Sequence, residues 1–203
     1  MSSNKLSKKP VPQIALLGGG FDPPTLAHQQ MVEFLLAENL FDQVWLIPYQ
    51  ERAFGKQAQT AARHRLAMAK LLAEPFAPRA TVCEYELRQT AKSYTIDTVN
   101  YLQTKYPEYQ FSLVLGSDLL KELPKWKDID ELAKLLSFIC LPRVNYPVLK
   151  QVVKKYQIMV MPEAHIADIS STQVRLDLKQ EKKNVNQIPK SIRTYIRQHS
   201  LYG

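Results

Sequence analysis

The chain has 203 residues, 45% of them hydrophobic and 23% charged, a composition that fits one globular domain with a core of ordinary size and excludes a fibrous or fully disordered chain. No apolar stretch approaches the roughly 20 residues needed to span a bilayer. A formal charge of +8 raises nucleic acid as a partner, but the cations outside the N-terminal stretch are dispersed and no recognised nucleic-acid motif appears, whereas the same excess would steer a ligand with several phosphates into a positive cleft.

Residues 1–12 carry Lys5, Lys8 and Lys9 without the apolar core of an export signal. They are expected to form a disordered tail, with one domain over 13–203 and a cytoplasmic location. The run Ile14-Ala15-Leu16-Leu17 reads as a buried strand, and helical spacing of apolar residues follows from His28. Between them stand Gly18-Gly19-Gly20-Phe21-Asp22-Pro23-Pro24-Thr25-Leu26-Ala27-His28. Glycines admit a positive φ and let a ligand approach the backbone, and the unpaired N–H groups of a helix start favour an anion. The dinucleotide fingerprint fails at Pro23, and the triphosphate loop fails because Gly55-Lys56 precedes Gln57 rather than Ser or Thr. A plain tight turn followed by a surface imidazole is the competing reading.

Gln43-Val44-Trp45-Leu46-Ile47-Pro48 is a second strand, followed by a loop over 49–60 that carries Glu51, Arg52, Gly55 and Lys56. Leu66, Ala69 and Leu72 give the apolar face of a helix over 61–72, with Arg63-His64-Arg65 expected on its wet side. Ala80-Thr81-Val82-Cys83 is a short strand. Ser93 is a candidate N-cap for a helix through Val99, Leu102 and Tyr106, its start reading Ser93-Tyr94-Thr95-Ile96-Asp97-Thr98.

Gln110-Phe111-Ser112-Leu113-Val114-Leu115 reads as a central strand whose end, Gly116-Ser117-Asp118, is a second candidate ligand edge. Leu123-Pro124-Lys125-Trp126 interrupts the next helix and leaves an indole either over a flat ligand or over the core. A helix over 129–136, the strand Ser137-Phe138-Ile139-Cys140-Leu141 ending at Pro142-Arg143, a helix over 149–155 and a strand over 158–161 continue the alternation. Strand and helix in turn predict an α/β, Rossmann-like, mainly parallel sheet flanked by helices, with a C-terminal helical segment over 188–201. The isolated Cys83 and Cys140 are assigned to packing.

One segment remains. Ile169-Ser170-Ser171-Thr172-Gln173-Val174-Arg175 sets three hydroxyls at a helix start with an arginine one turn inside. An ordinary cap explains the hydroxyls. A second phosphate site, with paired donors from Arg175, explains the hydroxyls and the arginine together.

The pair Gly-Gly-x-Phe-Asp-Pro-x-Thr-x-Ala-His and Ile-Ser-Ser-Thr-x-x-Arg, about 140 residues apart, resembles the nucleotidylyltransferase superfamily. Ser93-Tyr94-Thr95, Asp97-Thr98, Leu115-Gly116-Ser117-Asp118, Leu123-Pro124-x-Trp126 and Leu201-Tyr202 make the chain similar to its nicotinate (or nicotinamide) mononucleotide adenylyltransferases. The resemblance implies that ATP and a pyridine mononucleotide give a dinucleotide and pyrophosphate in NAD biosynthesis, with Mg²⁺ borne by the substrate and no protein metal ligand. It implies His28 and Arg175 as catalytic residues, and Gly18, Gly19, Gly20, Phe21, Gly116, Asp118, Ile169, Ser170, Ser171 and Thr172 with them around ATP. For the mononucleotide it implies Tyr94, Thr95 and Trp126, and Lys56 and Arg143 join them as the cations of that side.

Two departures stand out. Thr25-Leu26-Ala27-His28 occupies the place of a frequent His-x-Gly-His, so one imidazole is replaced by a hydroxyl. Ala53-Phe54-Gly55-Lys56 stands where bacterial nicotinate-type members usually carry Pro-Pro-His-Lys, and is more like the nicotinamide branch. Nicotinate mononucleotide is the expected acceptor, with nicotinamide mononucleotide and an inactive nucleotide-binding module as alternatives. No membrane and no dedicated nucleic-acid partner are expected, and the sequence leaves homo-oligomerisation open.

Overall fold

The computed structural model describes residues 11–37, 40–50, 58–90, 92, 94–180 and 186–203. Six parallel strands form one sheet: β1 (Gln13–Gly19), β2 (Gln43–Pro48), β3 (Ala80–Val82), β4 (Gln110–Gly116), β5 (Ser137–Leu141) and β6 (Met159–Val160), in the order β3-β2-β1-β4-β5-β6. The helices are α1 (Leu26–Ala37), α2 (Ala62–Ala73), α3 (Thr95–Lys105), α4 (Ile129–Leu135), α5 (Lys150–Lys155), α6 (Ser171–Lys179) and α7 (Lys190–Gln198).

Side chains of β1 alternate between two cores, as a strand buried on both faces requires. Ala15 and Leu17 pack with Met31, Val32, Leu72, Val174 and Ile196, whereas Ile14 and Leu16 pack with Val99, Leu102, Leu132 and Phe138. The register sets Gly18 and Gly19 of β1 beside Ile47 and Pro48 of β2. On its other edge β1 pairs with β4, so the chain direction of winding reverses between these two strands. Their carboxyl ends open the crevice in which such sheets receive ligands.

Two readings of the sequence are corrected. The stripe that α2 buries is Arg65, Met68, Ala69, Leu72 and Ala73, which keeps Ala69 and Leu72 of the expected face but takes Arg65 in place of Leu66. Arg65 therefore points inward and is only 2% exposed, not part of a wet face. Its guanidinium donates to the carbonyls of Thr60 (3.1 Å), Gly20 (3.1 Å), Tyr49 (2.6 Å) and Gln50 (3.3 Å). Neutral carbonyl acceptors thus satisfy a buried cation and cross-link the ends of β1 and β2.

The glycine turn is also built differently. Gly18 and Gly19 continue β1, and the positive φ of this stretch falls on Phe21, at 48°. Gly19 and Gly20 are needed for space. A Cβ on Gly19 would stand 3.3 Å from the Phe21 ring and one on Gly20 2.7 Å from the Tyr49 hydroxyl, while Gly18 has nothing within 4 Å. Among the described residues no helix is long and apolar enough to cross a membrane. The expected N-terminal tail lies, apart from Val11 and Pro12, outside the described residues, as do Ser93 and the loop residues Glu51, Arg52, Gly55 and Lys56.

Candidate active site

A cleft of about 450 Å³ opens at the carboxyl ends of β1, β2, β4 and β5. Gly18, Gly19, Gly20 and His28 form one wall, Gly116, Asp118 and Arg143 another, and Tyr94, Thr95 and Trp126 a third. Ten of the residues singled out in the sequence thus meet in one cavity. Thr98, from the Asp97-Thr98 pair, lines it too, as do Tyr49, Glu86, Glu122 and Lys127, which no sequence motif marked. A charged side chain such as Glu86, Glu122 or Lys127 outside the periodic face of a helix or strand follows no pattern that separates it from a solvated one.

His28 is fixed by what precedes α1. Thr25 is fully buried. Its backbone N–H donates to His28 Nδ1 at 3.1 Å, and its hydroxyl oxygen lies 2.8 Å from the same atom. A backbone N–H cannot accept, so Nδ1 is the unprotonated nitrogen and the neutral ring carries its proton on Nε2. Burial, and then the charge of Arg143, lower the His28 pKa to about 4, so at neutral pH the ring is a neutral Nε2–H donor. The Phe21 ring, 1% exposed, backs the imidazole at 5.3 Å between centroids.

Across the cleft, Arg143 follows β5. Its backbone N–H donates to Ser117 Oγ (2.9 Å), and its guanidinium reaches the Ile169 carbonyl (3.4 Å), with Asp118 and Asp168 carboxylates at 4.0 and 3.7 Å. Gly116 keeps this corner open, since a Cβ there would collide with the Asp118 carboxylate and stand 3.0 Å from Arg143 Cδ. At the third wall, Thr98 donates to Glu86 (2.8 Å). The Lys127 ammonium lies 4.6 Å from the Tyr94 ring centroid and 3.5 Å from Asp97. Trp126 packs on the second core and also faces the cleft.

The helix start at 169–175 does not line this cavity but adjoins its glycine wall. Ser171 Oγ donates to the Pro23 carbonyl (2.9 Å), Ser170 Oγ accepts from Thr172 N–H (3.2 Å), and Thr172 Oγ1 accepts from Arg175 (3.3 Å). Arg175, 7% exposed, donates through Nη1 to the Asp22 carbonyl at 2.6 Å. The two motifs read as half-sites are therefore bonded to one another. Arg65 and Tyr202, whose hydroxyl donates to Asp22 Oδ1 at 2.6 Å, join the same cluster. Arg65 had a signal in the sequence, because it shares the i, i+3, i+4, i+7 stripe with Met68, Ala69 and Leu72.

The fold and the site define a class. The chain belongs to the cytidylyltransferase-like family, whose model matches residues 16–176. Within it, the relatives are nicotinate-nucleotide adenylyltransferases by name. A probable enzyme of that name from Oceanobacillus iheyensis is 33% identical over 191 residues, covering 94% of this chain and 97% of its own. One from Myxococcus xanthus is 31% identical over 195 residues, covering 96% and 97%. Among solved structures, Plasmodium falciparum nicotinic acid mononucleotide adenylyltransferase complexed with NaAD shares the fold, with a TM-score of 0.79, 23% identity and coverage of 94% and 97%.

Proposed function

We propose that the chain joins ATP to nicotinate mononucleotide, giving nicotinate adenine dinucleotide and pyrophosphate for NAD synthesis. The observation that carries this reading is the fixed Nε2–H tautomer of His28, set in a cleft between a glycine wall and an aromatic wall. The names of the relatives supply the substrate class.

In this reading the 5′-phosphate of the mononucleotide attacks the α-phosphorus of ATP in line. A P–O bond forms to the acceptor phosphate, and the bond from the α-phosphorus to the bridging oxygen breaks, its electron pair leaving with pyrophosphate. No nucleophilic side chain is needed. Catalysis rests on positioning and on stabilising charge at the phosphate oxygens.

His28 donates Nε2–H to an α-phosphate oxygen, and because the imidazole is neutral it gains nothing from proton transfer and acts as a fixed dipole. Gly18, Gly19 and Gly20 let the phosphates approach the backbone, with Phe21 behind them. The start of α6, with Ile169, Ser170 and Thr172, is the nearest helix start for the β- and γ-phosphates, while Ser171 and Arg175, engaged with Pro23 and Asp22, brace the turn from behind and lend it charge. Gly116 and Asp118 receive the adenosine, while Tyr94, Thr95 and Trp126 hold the pyridine ring and Arg143 and Lys56 the acceptor phosphate. Among the described residues no group of three or more His, Cys, Asp or Glu side chains is arranged to hold a metal. Following the family resemblance, magnesium is proposed to enter with ATP, where it would neutralise phosphate charge.

The test is a comparison of acceptors. With ATP and Mg²⁺, kcat/KM for nicotinate mononucleotide should exceed that for nicotinamide mononucleotide. Equal values, or a preference for the amide, would overturn the acceptor assignment while leaving adenylyl transfer in place.

A further inference from the structure

We propose that Tyr202, in the turn that follows α7, is a positioning residue for the nucleotide half of the site, acting through Asp22. The inference rests on the adenylyl-transfer reading above.

Asp22 lies between the glycine wall and His28 in the chain, and is only 4% exposed. Its carboxylate gathers two distant segments. Oδ2 accepts the backbone N–H groups of Gln59 (2.6 Å) and Thr60 (3.4 Å), at the entrance to α2, while Oδ1 accepts the Tyr202 hydroxyl at 2.6 Å. Burial, and then the bond to Asp22, raise the phenol pKa, so the hydroxyl stays a donor at neutral pH. A hydrogen bond to a buried carboxylate is charge-assisted, and removing the donor leaves part of an anion unsolvated.

The backbone of the same residues is held from the other side. Arg65 binds the Gly20 carbonyl, Arg175 the Asp22 carbonyl and Ser171 the Pro23 carbonyl. Residues 20–23 are thus suspended between ties to side chains from α2, α6 and the turn after α7. Tyr202 itself adopts a positive φ of 68°, and Ser200 one of 48°. For non-glycine residues this conformation is uncommon and persists where surrounding contacts over-determine it. The Leu201 N–H donates to the Ile196 carbonyl at 3.0 Å, which turns the chain back so that Tyr202 reaches Asp22. A residue needed only to cover the core would require the ring alone. Here the hydroxyl, driven into the turn that orients His28, is what the backbone geometry serves.

The test separates positioning from stability. Y202F keeps the ring and removes the donor. I192A weakens the packing of α7, where Ile192 is 0% exposed, without touching the tie. Both are assayed for pyrophosphate release and for equilibrium ATP affinity, at a temperature well below each unfolding midpoint. Y202F is expected to lose about tenfold in kcat/KM for ATP, with the mononucleotide KM changed by less than about twofold. I192A should lower the midpoint and keep the wild-type kinetic constants. D22N, which preserves the shape of the acceptor and weakens it, should repeat the Y202F pattern.

Wild-type constants in folded Y202F and D22N, or an equal loss in I192A, would overturn the proposal. If the wild type itself releases no pyrophosphate, the functional reading fails and ATP affinity decides the tie: about tenfold weaker binding in Y202F sustains it, and unchanged binding refutes it.

Discussion

The starts of α1 and α6 are similar on paper, each a run of small or hydroxyl-bearing residues leading into a helix with a basic side chain just inside. The fold gives them different tasks. At α1, Gly18 is open to the cleft and His28 lines it, its second nitrogen occupied by Thr25. At α6 the Ser171 hydroxyl and the Arg175 guanidinium turn toward Pro23 and Asp22, and so grip the α1 approach from behind. A helix start addresses a ligand through the side chains its neighbours leave open. Where neighbours engage them, the same residue types brace the working start and lend it charge.

Substitution at each start should break the pair in different ways. H28A, which removes the cleft-facing donor, is expected to cost about 10²–10³-fold in kcat with little change in ATP affinity, as for loss of one preorganised donor to a developing charge. Steady-state rates and an equilibrium ATP titration measure both. R175M should act first on the fold. Leaving the Asp22 carbonyl and the carboxylate, 3.9 Å from Arg175, without their cation should lower stability by about 3 kcal/mol in urea titration.

The smallest effect concerns pH. The His28 pKa is lowered from 6.5 to about 4 in the folded chain, so the unfolded chain binds the extra proton more readily between these values. Stability tied to neutral His28 is whole above pH 6.5 and is lost as pH falls toward about 4. In an NMR titration of the ligand-free protein, the His28 ring should show no inflection between pH 5 and 8, and H28A should flatten the acid decline in stability.

Much of this was legible in the chain. Apolar runs of strand length gave β1, β2, β4 and β5, and their alternation with helices gave a parallel sheet, because a crossover between parallel strands needs a helix to cover each face. Glycines beside an imidazole, and hydroxyls ahead of an arginine, marked the two starts. What stayed hidden was decided by tertiary packing. Arg65 reads like its neighbours Arg63 and His64 by charge, and although its spacing with Met68, Ala69 and Leu72 puts it on the buried stripe, the four carbonyls that accept from it come from distant segments only the fold brings there. The positive φ that glycine seemed to offer falls on Phe21, whose ring fills the space Gly19 leaves. Glu86 and Lys127 reach the cleft from loop and helix ends, where an exposed charge looks the same whether or not a cavity lies beside it.

The most direct measurement is the product. Incubated with ATP, Mg²⁺ and nicotinate mononucleotide, the purified chain should yield nicotinate adenine dinucleotide by mass, with one pyrophosphate released for each dinucleotide formed. ATP hydrolysis without dinucleotide, or no turnover by a chain that binds ATP, would contradict the account.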